Sequence, residues 1–96
     1  MHAVIRSYTG AGAKELFDLL LANRSEVESL IRSATGFVSY HALRTEQGGS
    51  TITICQDKAG TDESVRLAGD WVRNHTADLP GIQPPTITEG PVVIHI

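Results

Sequence analysis

Cysteine is almost missing from this chain. Cys55 stands alone, so no internal disulfide can form, and this usage fits a reducing compartment. Clustered basic charge is missing too. Arg6, Lys14, Arg24, Arg32, Arg44, Lys58, Arg66 and Arg73 are scattered singly, and the formal charge is −3. Neutralising phosphates takes grouped Lys and Arg, so no nucleic-acid partner is expected, and a polybasic membrane patch is absent for the same reason. No apolar run approaches the roughly 20 residues that span a bilayer, so no membrane partner is expected. The chain opens on a strand-like segment rather than a basic n-region with an apolar h-region, and a cytoplasmic protein is the expectation. No Cys/His or His/carboxylate spacing suggests a metal site, and no Gly-rich phosphate loop leads into Lys-Ser or Lys-Thr. Long linkers, repeats and low-complexity tracts are likewise missing, so residues 1–96 read as a single small domain. Such a domain buries only about 60–70% of its unfolded surface, and its core is thin.

What is present is alternation of two periodicities. "HAVIRSY" is a β-branched run closed by the turn "TGAG". From Ala13 to Ala34 apolar residues recur at threes and fours (Leu16, Leu19, Leu20, Val27, Leu30, Ile31), marking a helix with one buried face. Gly36 follows as a stop. "FVSYHALRTE" and "STITICQD" read as a hairpin through Gly48-Gly49, which places Thr45 opposite Ile52, Leu43 opposite Ile54 and His41 opposite Gln56. Thr61 is the expected N-cap of a second helix, with Asp62 and Glu63 suited to its dipole and a stripe of Val65, Ala68, Val72, Thr76 and Leu79. The last strand ends in "PVVIHI", and Pro91 suits an edge or a bulge.

The order β-α-β-β-α-β predicts an α+β, ferredoxin-like fold: a four-stranded, mostly antiparallel sheet with two helices on one face. A sheet covered on one side should alternate cleanly between apolar and polar residues. This one does not: Val4 opposes Ala3 and Ile5, and the last strand sets Val92, Ile94 and Ile96 against Val93. A second copy packed sheet on sheet about a two-fold axis would cover the open face, so a homodimer is expected. The alternative is a monomer with an unusually apolar exposed sheet.

The strand and helix order, the block "TGFVSYHALRTEQGGSTITICQD" and the helix carrying "AGDWVRNH" resemble the dimeric α/β-barrel superfamily. Within it they resemble the antibiotic biosynthesis monooxygenase branch. The resemblance implies a ligand site between helices and sheet. It implies chemistry without a cofactor on a small aromatic or quinol-like substrate, as in members that oxygenate polycyclic phenols. The family also holds haem-degrading enzymes that use an Asn of the first strand with a Trp and a His of the second half. Trp71 and His75 match the last two, but "HAVIRSY" has no Asn and the Trp-to-His spacing is short, which sets this chain apart from that branch.

The candidate catalytic residues are Trp71 and His75, neighbours on the flank of the second helix's stripe. Trp71 would stack on a ligand, or else pack its ring and leave its N–H wet. His75 would act as an acid or base, or else suit the helix C-terminus as a cation. Interior Gly69 costs about 1 kcal/mol relative to Ala, which suggests a close approach by a ligand or by the sheet. His41, Gln56 and Asn23 are the candidate ligand-binding residues. His41 and Gln56 would reach the cleft if their face meets the helices, and otherwise lie at a solvated strand end. Asn23 sits in the first helix's apolar stripe, either as an amide aimed at the cleft or at a break, since Ser25 and Glu28 have capping-box spacing. His2 and His95 are expected to be exposed. Cys55 reads as a buried, inert thiol. The alternative to an enzyme is a non-catalytic dimer that binds a small molecule or is purely structural.

Overall fold

The computed structural model describes residues 1–79 and 81–96. Its elements are β1 (His2–Thr9), α1 (Ala13–Ala22), α2 (Arg24–Arg32), β2 (Phe37–Thr45), β3 (Gly48–Cys55), α3 (Lys58–His75) and β4 (Thr86–Pro91). The strands form one antiparallel sheet in the order β2-β3-β1-β4. This is the ferredoxin-like topology expected, with three helices in place of two.

The extra helix comes from Asn23. Its backbone leaves helical geometry at φ −113°, and both its N–H and its Nδ2 donate to the Leu19 carbonyl. The amide is therefore spent on closing α1, and α2 restarts at Arg24. α3 also starts earlier than Thr61. Asp57 is its N-cap, accepting from the Gly60 N–H at 3.2 Å, while Thr61 is buried inside the first turns. The earlier start requires Gly60, because a Cβ there would lie 2.1 Å from the Thr35 carbonyl oxygen.

The hairpin turns at Glu46-Gln47, two residues before the expected position. Thr45 pairs with Gly48, Leu43 with Ser50 and His41 with Ile52. The two glycines serve close packing at the start of β3 instead of the turn. A Cβ on Gly49 would meet the Phe17 ring at 2.6 Å, and one on Gly48 the Tyr8 carbonyl oxygen at 2.3 Å.

The helices cover the sheet face that carries Val4, Arg6, Tyr8, Thr51, Thr53 and Cys55, all buried. Tyr8, Leu16, Phe17, Val27, Ile31, Ala68 and Trp71 form the core between the layers, with Phe37 and Tyr40 against it. Phe37 joins this face, rather than the face of Leu43 and Ile54, because β2 carries an irregularity between Phe37 and Ser39. The other face presents Ala3, Ile5, Ile52 and Ile54, none fully buried, together with exposed Leu43. β4 is an edge strand, as Pro91 suggested, but it ends there. Beyond it Val93, Ile94 and Ile96 are largely exposed, and Val92 is held by a 2.9 Å bond to the Met1 carbonyl.

Candidate ligand-binding cleft

α3 divides its labour between two faces. Thr61, Ser64, Ala68 and Trp71 recur at helical spacing and are buried. Trp71 thus belongs to the buried stripe together with Ala68 of the expected one, while Val65 and Val72 lie on the flank, and Thr76 and Leu79 fall beyond the end of α3 at His75. The Trp71 Nε1 donates to Glu26 Oε1 of α2 at 3.0 Å. The His75 ring stacks on the indole with centroids 4.0 Å apart, its Nδ1 is 2.8 Å from the Trp71 carbonyl, and its Nε2 lies 3.4 Å from the same Glu26 oxygen. Trp71, His75 and Glu26 form one polar clasp between α2 and α3.

The flank of α3 walls an open cleft of about 630 Å³. Val65, Gly69 and Val72, with Thr76 and Leu79 just past the helix end, face Ile87 of β4 and residues 82–85 across it, and Arg6 and Tyr8 of β1 line it from the sheet. Arg66, Asp70 and Arg73 complete the lining, with Asp70 ion-paired to Arg73. That volume lies in the range of small-molecule sites. Gly69 is explained by openness rather than by tight contact, since a Cβ there would find only the Arg73 Nη1 at 3.7 Å.

Arg6 is the unusual residue. It is 4% exposed, and its Nε has no hydrogen-bond partner among the described residues. It also borders a small void of about 20 Å³, lined with Tyr40, Thr51 and Trp71 among others, which is room for about one water. Thr51 Oγ1 and Thr53 Oγ1 are unpartnered as well, on strand positions opposite Arg6 and Val4. Burial raises the Tyr40 pKa, and the Arg6 charge beside it partly opposes that shift.

The residues singled out from sequence are not gathered in one place. Trp71 and His75 are together, but neither lines the open cleft. His41 is exposed and pairs with Ile52 on the sheet face away from the helices. Gln56 follows β3, is exposed, and bonds through its N–H to the Gly36 carbonyl. Asn23 closes α1. His95 is exposed as expected, but His2 is half-buried, with Nδ1 2.9 Å from Thr61 Oγ1 and Nε2 3.7 Å from Glu89. Arg6 and Tyr8 were missed. The signal lay in "HAVIRSY", where an Arg occupies the same strand phase as Val4 and Tyr8. Cys55 is fully buried, and burial, then the charges of Asp57 and Glu63, push its thiol pKa up. Among the described residues no group of three or more His, Cys, Asp or Glu could hold a metal, and no helix is long and apolar enough to cross a membrane.

No family model and no curated protein matches the chain. Solved structures do. A protein of unknown function from Nitrosomonas europaea superposes with a TM-score of 0.70 at 17% identity, covering 99% of this chain and 90% of that one. The heme-degrader MhuD from Mycobacterium tuberculosis, solved with two hemes in its active site, gives 0.67 at 20% identity over 100% and 99% of the two chains. A monooxygenase from Streptomyces coelicolor, solved with the ligand Nanaomycin D, gives 0.58 at 19% identity over 99% and 88%. At these identities the likeness establishes a shared ferredoxin-like fold, the one found in such oxygenases and in uncharacterised proteins alike.

Proposed function

We propose that this protein is a homodimer, packed sheet on sheet, whose subunits each bind a small aromatic molecule in the cleft between α3 and the β1–β4 edge. The observation that carries the reading is the cleft itself: about 630 Å³, mostly apolar in lining, with the buried guanidinium of Arg6 at its sheet side. Apolar walls with a few fixed polar groups are the usual make-up of a small-molecule site. The dimer is supported by the uncovered apolar face of Ala3, Ile5, Leu43, Ile52 and Ile54. Isothermal titration of the purified protein with naphthols, quinols and anthrones tests the binding. Saturable binding of one class to wild type, abolished by Gly69→Leu, is expected; no binding of any class overturns the reading.

A second reading makes the dimer a cofactor-independent monooxygenase of the antibiotic biosynthesis type. Arg6 favours it, because a cation beside the ligand stabilises a phenolate or enolate, the electron-rich form that reacts with oxygen. An acidic methylene would become a carbonyl, with one oxygen atom retained, the other leaving as water, and all four electrons that reduce the oxygen molecule drawn from the substrate. Here Trp71 and His75 are the proposed catalytic pair, acting from behind the cleft wall. Against it stands the lining, which among the described residues contains no His. Oxygen uptake and product mass with the same panel separate the two: turnover selects the enzyme, and tight binding without uptake selects the binding protein.

A further inference from the structure

We infer that the ligand of the cleft is a small organic acid, and that Arg6 is the anchor for its carboxylate. This rests on the cleft being the ligand site and names the chemistry of what enters it. The ground is an uncompensated charge. Arg6 is 4% exposed with an orphaned Nε, and none of the ion pairs among the described residues includes it. Taking a cation out of water is costly unless it is paired and fully hydrogen-bonded. The void that Arg6 borders is also lined by the hydroxyl-bearing side chains of Tyr8, Tyr40 and Thr51, which soften the charge without neutralising it. The acidic residue lining the cleft, Asp70, is engaged by Arg73. A counter-charge is therefore missing where β1 lines the cleft.

The shape of the missing partner follows from the donor. A guanidinium offers a planar fork, which a carboxylate meets with two parallel hydrogen bonds. Arg66, also in the lining and in none of the ion pairs among the described residues, adds positive potential that favours an entering anion. Val65, Val72, Leu79, Ile82 and Ile87 receive the rest of the molecule, which is accordingly apolar.

The test is titration calorimetry with matched pairs: benzoate, 2-naphthoate and 4-phenylbutyrate, each against its neutral amide. In wild type at least one acid should bind roughly 10- to 100-fold tighter than its amide. In Arg6→Gln the preference disappears while amide binding stays. Equal affinity of acid and amide in wild type overturns the anchor and leaves the cleft standing as a neutral-ligand site. Failure of every acid and every amide to bind overturns the anchor and the cleft reading together. A wild-type measurement covers the case in which the variant misfolds. The Arg6 Nε–H resonance should shift on saturation with the tightest acid and not with its amide, and an unmoved resonance overturns the proposal.

Discussion

Trp71 and Glu26, 45 positions apart in sequence, are joined by an indole-to-carboxylate hydrogen bond of 3.0 Å. The bond ties α3 to the first turn of α2, and His75 closes it by stacking on the indole and approaching the same carboxylate. Glu26 is half exposed, so solvent weakens the bond. Glu26→Ala should cost about 1 kcal/mol, below the usual range for a bond to a charged group because of that exposure. Trp71→Ala also opens the core and should cost about 3–5 kcal/mol. Urea unfolding of the two variants measures both. A loss in Glu26→Ala as large as in Trp71→Ala would mean the carboxylate, not the ring, holds the helices.

Gly69 gives a test in which stability and binding move in opposite directions. Its added Cβ finds open space, so Gly69→Ala should gain about 1 kcal/mol from helix propensity alone. Gly69→Leu should keep most of that gain while filling the cleft it lines. Thermal unfolding and ligand titration of the same samples check the pair of outcomes. Gly60 is the contrast: with 2.1 Å to the Thr35 carbonyl oxygen, Gly60→Ala must displace backbone and should be strongly destabilising.

The fold was legible because each element announced itself by period and punctuation. The α+β order and the edge position of Pro91 follow from local rules that tertiary contacts reinforce, whereas the break at Asn23 is only one of two alternatives in the sequence, because the apolar stripe runs on through it. The hairpin register was not legible. Gly48-Gly49 is the usual signature of a tight turn, but these glycines are held for the close approach of Phe17 and the Tyr8 backbone, contacts that only the folded layers define. The same limit affected the site. Trp71 and His75 were found as neighbours one helical turn apart, yet which flank of α3 faces the core depends on the packing of α2. Arg6 was readable in principle as a charge in a buried strand phase. Its significance, an Nε without a partner, emerges only once every surrounding group is placed.

The proposed dimer predicts where a charge does most harm. Ile52 and Ile5 are cross-strand partners on the face away from the helices, and neither is fully buried in one subunit. Ile52→Lys should leave the monomer fold intact, since its side chain points out of the core, and should break sheet-on-sheet association. Sedimentation at micromolar concentration should give twice the chain mass for wild type and one chain mass for the variant. A wild type that sediments as one chain would sink the dimer.

Tyr40 supplies a test of the inner void by pH. Its pKa is raised by burial, with the Arg6 charge opposing. An unfolded tyrosine ionises near pH 10. Between that point and the higher folded value, the unfolded chain has lost a proton that the native state retains. The slope of unfolding free energy with pH is then negative, and stability falls as pH rises through this window. Lys58 and Cys55, whose pKa values are also raised, contribute slopes of the same sign. The informative quantity is therefore the difference between wild type and Tyr40→Phe, which removes one ionisation and leaves those two in place. Urea midpoints from pH 8 to 11 should show wild type losing more stability than the Phe variant above about pH 10. Parallel curves would mean that the Tyr40 hydroxyl reaches solvent in the native state.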